Sequence, residues 1–181
     1  MDQDKLIELN DICLLLVKEI IQLNFDGLEK ISVRDYASED PTQGYSIGFS
    51  SHDSKSIFTL YFFTGDTIPV SSDVLKQSHL TAVNDLFFHN PGFEFKDNDV
   101  KIEYNLGTED MIGYLKTSLR DDNEINYQHV IVSSYFFGLL IKVRATLEDG
   151  GICNLESFLK RLSISLFDIY SKINSEKKIV S

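Results

Sequence analysis

Two fixed cations stand two residues apart, at Lys142 and Arg144, in the stretch SSYFFGLLIKVRATL (133–147) of a chain with 28 acidic and 17 basic side chains. Strand alternation places Leu139, Ile141, Val143, Ala145 and Leu147 on one face and Leu140, Lys142, Arg144 and Thr146 on the other. An ammonium beside a planar guanidinium suits a carboxylate or phosphate, which the guanidinium grips with a bidentate fork. Tyr61 and Tyr135, on other apolar strands, could line such a pocket, so Tyr61, Tyr135, Lys142 and Arg144 form the candidate anion site. The competing expectation is structural. Cross-strand charge pairs are routine, and Glu103 or Asp99 of the alternating segment 99–104 would neutralise both cations if that strand lay beside theirs.

No other spacing points to chemistry. The histidines, at 52, 79, 89 and 129, fall in four different segments, and neither HxxxH nor HxH occurs, so no metal site is expected. Neither GxGxxG nor GxxxxGK[ST] is present, and Gly150–Gly151, between a strand and a helix, reads as a turn. The GxSxG elbow of serine hydrolases is missing as well. The paired carboxylates Glu39–Asp40, Glu109–Asp110 and Asp121–Asp122 lie in turns or helix starts, where turn geometry and helix dipoles account for them. EDP and RDDNE do not match a calcium loop. The sequence therefore leans away from an enzyme and calls for no catalytic residue, cofactor or metal.

Charge narrows the partners. A net charge of -11 argues against a phosphate backbone or an anionic membrane surface, both of which need positive potential, and favours a basic protein. The leading expectation is a non-enzymatic acidic binding protein of the inhibitor, immunity-protein or chaperone type. Its candidate surfaces are the acidic stretch 97–124, with Asp121, Asp122 and Glu124, and the loop 35–44, with Asp40. The alternative is a small-molecule or anion binder, or an enzyme, around Lys142 and Arg144. A homo-oligomer with aromatic strand faces at its interface is a third possibility. Cys13 sits in an apolar run and Cys153 follows a Gly-Gly pair, which suggests two thiols in a reducing compartment, a single disulfide between them staying open. The acidic start MDQDKLIELND lacks the cationic region of a signal peptide, and the run Ile12–Val17 is too short to span a bilayer, so the expected location is cytoplasmic.

The elements that must position these residues follow from periodicity. Leu6, Leu9, Ile12, Cys13, Leu16, Ile20 and Leu23 recur at steps of three and four, predicting a helix over 4–24. Segments 31–36, 45–50 and 56–63 read as a three-strand meander separated by EDPTQG and SHDSK. A helix over 74–88 follows, with Val74, Leu75, Leu80, Val83, Leu86 and Phe87 on its apolar face. Then come a half-exposed strand in 99–104, a short helix near 109–119, a hairpin of 127–136 and 139–147 turning at Gly138, and a last helix over 155–173. Residues 1–175 read as one domain and 176–181 as a charged tail.

The series GYSIGF, SIFTLYFFTGDTIP, a helix, and HVIVSSYFFGLLIKVRATL before a terminal helix resembles a group of small bacterial α+β proteins with a late G-x-x-x-K-x-R-x-T strand. The arrangement, over about residues 35–170, also resembles the helix-flanked antiparallel sheet of PsbP-like proteins, and its element order is shared by secretion chaperones. The resemblance implies a fold and no activity. The expected fold is α+β, an antiparallel sheet of about six strands flanked by N-terminal, middle and C-terminal helices.

Overall fold

The computed structural model describes residues 3–52, 55–64, 72–89, 101–105, 114–120, 127–136, 138–148 and 152–180. Three helices, α1 (Gln3–Gln22), α2 (Ser72–His89) and α3 (Ile152–Val180), accompany strands β1 (Leu28–Asp35), β2 (Tyr45–Ser51), β3 (Ile57–Phe63), β4 (Lys101–Asn105), β5 (Tyr114–Arg120), β6 (Gln128–Phe136) and β7 (Leu139–Leu147). The chain has the α+β architecture its periodicity predicts. The sheet holds seven strands, because 114–120, expected within a short helix, is the strand β5. Its sequence YLKTSLR alternates too briefly to declare itself, and pairing with β6 on one side and β4 on the other makes it a strand. The last helix does not stop at Ile173 but continues to Val180.

Every neighbouring pair is antiparallel, in the order β1-β2-β3-β7-β6-β5-β4. The first three strands form one meander and the last four a second, and the two join where β3 meets β7. That order overturns the expected pairing of Glu103 with Lys142 or Arg144. β6 and β5 separate β4 from β7, and the register runs from Glu103 through Lys116 and Val132 to Val143, not to either cation. Asp99 lies outside the described residues.

One face of the sheet is apolar. Phe58, Leu60 and Phe62 of β3, Ile47 and Phe49 of β2, and Ile141, Val143, Ala145 and Leu147 of β7 are buried beneath α1 and α3. α1 contributes Leu9, Cys13, Leu16, Val17 and Ile20, and α3 contributes Leu155, Phe158, Leu162, Leu166 and Ile169, each set at helical spacing. Phe158 is the hub, its ring 4.8 Å from that of Phe25, 5.5 Å from Phe49 and 5.6 Å from Phe58. Cys13 is a free, fully buried thiol, pushed up to about 12 by desolvation. No described helix is long and apolar enough to cross a membrane.

Two backbone features matter below. Gly44, at φ 64°, closes the turn into β2 where an added Cβ would collide with the carbonyl oxygen of Phe62. In β1 the register shifts between Lys30 and Ser32, leaving Ile31 as the extra residue of a bulge. Opposite it, Gly48 has no side chain because Ser32 Oγ leans into the place a Cβ would take.

Candidate functional site

Residues directly paired across strands project from the same face. On the face away from α1 and α3, one row across the sheet is therefore Arg34, Ser46, Tyr61, Lys142 and Ser133, from β1, β2, β3, β7 and β6. The next row is Ser32, Gly48, Thr59, Arg144 and Ile131. These two rows hold five hydroxyls, three cations, a glycine and Ile131.

α2 covers part of that face. Its Leu75 packs on Leu140, with Val74, Phe63 and Tyr135 around them, and its Ala82 and Leu86 pack on Ile131 with Val83. Leu80, expected on the apolar face, is instead 50% exposed. Between the two clusters His79 points at the sheet, its Nδ1 2.9 Å from Ser133 Oγ. The helix thus lies along β6, touching β5 as well, and Thr59, Tyr61, Lys142 and Arg144 at its margin stay partly exposed.

Lys142 rests its ammonium 4.9 Å from the Tyr61 ring centre and 5.4 Å from that of Phe63. Burial holds its pKa below the usual lysine value, Arg144 pushes the same way, and Asp85 of α2 opposes them. Among the described residues the ion pairs are Lys76–Asp73, Arg161–Asp26 and Lys172–Glu19, and none of them includes Lys142 or Arg144. Strand geometry sets their Cα atoms about 7 Å apart along β7, and the two charges act on one another.

His79 and Ser133 invite comparison with a base and nucleophile, but each is only 3% exposed, so the hydroxyl is not presented to a substrate. Burial, helped by Lys142, brings the imidazole down to about 4, so the ring is neutral at pH 7. Together they tie α2 to β6. Thr146 and His129 make a similar cross-strand bond of 3.2 Å closer to the end of the face.

The structure brings Tyr61, Lys142 and Arg144 together. It sets Tyr135 opposite Leu140 in the apolar cluster beneath α2. Asp40 is exposed in the loop after β1, where Oδ1 accepts the Thr42 N–H at 2.9 Å and the Thr42 hydroxyl at 2.7 Å. These bonds, the backbone one foremost, hold its carboxyl below the usual range. Asp121, Asp122 and Glu124 lie outside the described residues. No group of three or more His, Cys, Asp or Glu among the described residues could hold a metal. Sequence reasoning passed over Arg34, Ser46, Thr59 and the His79–Ser133 bond. His79 could have been found, since Leu75, His79, Ala82 and Leu86 recur at steps of four, three and four on one side of α2.

No protein-family model matches the chain. No curated protein matches it either. Among solved structures it is similar to the solution structure of cyanobacterial PsbP (CyanoP) from Synechocystis sp. PCC 6803, at 11% identity and a TM-score of 0.46 over 80% of this chain and 94% of that one. That is a weak, PsbP-like resemblance of fold.

Proposed function

We propose that the protein binds a small anionic ligand on the exposed part of the sheet face bearing Lys142 and Arg144, without carrying out chemistry on it. The observation that carries this reading is the pair of cations side by side on a partly buried strand, with no carboxylate paired to either among the described residues. Two unit charges about 7 Å apart repel by about 2 kcal/mol at the effective dielectric of a protein surface. Partial desolvation of the ammonium adds to that. In a protein with 28 acidic side chains a pairing carboxylate is not scarce, yet among the described residues only Asp85 acts on Lys142, without an ion pair, which leaves room for an incoming anion. Arg144 would grip the anion with its fork, Lys142 would supply the second charge from a position fixed by the two rings, and Thr59 would offer a hydroxyl beside them.

The test is calorimetric titration of wild type and Arg144→Met with inorganic phosphate, acetate and a set of organic phosphates and carboxylates. Binding to wild type that Arg144→Met weakens supports the site, and no heat from any of them in wild type rejects it. A second reading, contact with a basic protein, is favoured by the gathering of three cations on one face, which leaves the rest of the chain more acidic than its net charge of -11 conveys. Asp40 and the stretch with Asp121, Asp122 and Glu124 would form that surface. Affinity purification that recovers one basic protein with wild type, and loses it when those four residues are changed to Ser, would support it.

A further inference from the structure

The anion site leaves β1 unexplained. Seven of its eight residues are exposed, with Ile31 at 53% and Val33 at 44%, and among the described residues no strand lies beside its outer side. Such an edge is a template for another strand, and proteins that must keep one away line it with like charge. β1 carries both signs, at Glu29, Lys30, Arg34 and Asp35, and among the described residues none of the four makes an ion pair.

The bulge decides how those charges are presented. Leu28, Lys30, Val33 and Asp35 pair with Ser51, Phe49, Ile47 and Tyr45 on the face of α1 and α3, while Glu29, Ser32 and Arg34 pair with Ser50, Gly48 and Ser46 on the cationic face. When two identical strands pair antiparallel about a two-fold axis perpendicular to the sheet, each residue must oppose one on its own face. An axis passing between Ile31 and Ser32 meets that condition for the six residues that flank this pair. It sets Glu29 opposite Arg34 twice, Lys30 opposite Val33 and Leu28 opposite Asp35. Had the same eight residues alternated regularly, with no bulge at Ile31, Glu29 and Arg34 would fall on opposite faces, and no such pairing would exist.

We infer that the protein forms a two-fold dimer by pairing β1 with β1 of a second copy, in the register that places Glu29 of each against Arg34 of the other. One continuous sheet then runs through both copies. Because a perpendicular two-fold keeps faces, both Lys142–Arg144 sites open on the same side of it. The inference does not depend on what those sites bind.

Sedimentation velocity over a range of concentrations tests it, on the full chain and on Glu29→Arg, Arg34→Glu and the combined variant, with circular dichroism to show that each is folded. Wild type should sediment as a species of twice 20.6 kDa. Either single reversal should raise the dimer dissociation constant by about tenfold or more, as two attractive pairs become repulsive, and the combined variant should recover the dimer. A wild type that stays monomeric at every concentration overturns the inference. So does a dimer indifferent to both reversals, or one that the combined variant fails to restore.

Discussion

His79 should make the protein lose stability on mild acidification by an amount that the structure sets. The ring is 3% exposed beneath α2, bonded to Ser133, and its pKa falls from 6.5 to about 4 through burial and the nearby Lys142. Once unfolded the ring takes up its proton near pH 6.5, whereas folded it resists until about pH 4. The unfolded chain therefore binds more protons between those values, and stability is full above the window and falls as pH falls through it. Going from about pH 7 to about pH 4.5, this one group should remove about 2 kcal/mol of folding free energy. Carboxylates titrate in the same range, so the quantity to compare is the acid loss of wild type against that of His79→Leu, in which only the histidine contribution is gone. Urea unfolding at both pH values supplies it. Wild type should lose about 2 kcal/mol more than the variant, and equal losses within about 0.5 kcal/mol would show that the ring is not held neutral under α2.

Other consequences are as direct. Phe158→Ala removes the ring that three other phenylalanines meet and should cost about 3–5 kcal/mol, read as a lower urea midpoint at unchanged slope. Gly44→Ala should destabilise by about 2 kcal/mol or more, since it adds a collision with Phe62 to a left-handed φ; a change below about 0.5 kcal/mol would contradict the turn geometry. Cys13 should resist alkylation in the folded protein and react at the rate of unfolding, which peptide mapping after a timed pulse of iodoacetamide will show. Lys142→Met should abolish anion binding while raising stability by roughly 1 kcal/mol, because it relieves both the desolvated ammonium and its repulsion with Arg144; a loss of stability would mean that Lys142 is held in place for structural reasons.

Periodicity carried the sequence a long way. The stripes of α1 and α3 were visible because Leu9, Cys13, Leu16 and Ile20, and Phe158, Leu162, Leu166 and Ile169, repeat at a spacing that only a helix turns to one side. The alternation of β3 and β7 showed equally well which face of each strand is apolar. What local pattern could not convey is which strands touch. Glu103 looked like a partner for Arg144 because both sit on alternating strands, and the intervening β6 and β5 separate them. For the same reason the alignment of Arg34, Ser46, Tyr61 and Lys142 could not be seen, since it joins residues more than a hundred positions apart through a register that exists only in the sheet. β5 was misread as a helix because its seven residues hold few strong strand formers, and its neighbours, not its own propensity, fix its conformation. The bulge at Ile31, which sets Ser32 against Gly48 of the next strand, likewise exists only in the register of the sheet.

The most direct test of an anion held between Lys142 and Arg144 is a titration of the uniformly 15N-labelled protein with inorganic phosphate, followed by two-dimensional amide spectra of wild type and of Arg144→Gln. The account predicts saturable shifts concentrated at Thr59, Tyr61, Lys142 and Arg144, with the apolar strand ends and α3 unmoved, and their loss in the variant. Shifts that never saturate, or that gather on other surfaces and persist in Arg144→Gln, would contradict it.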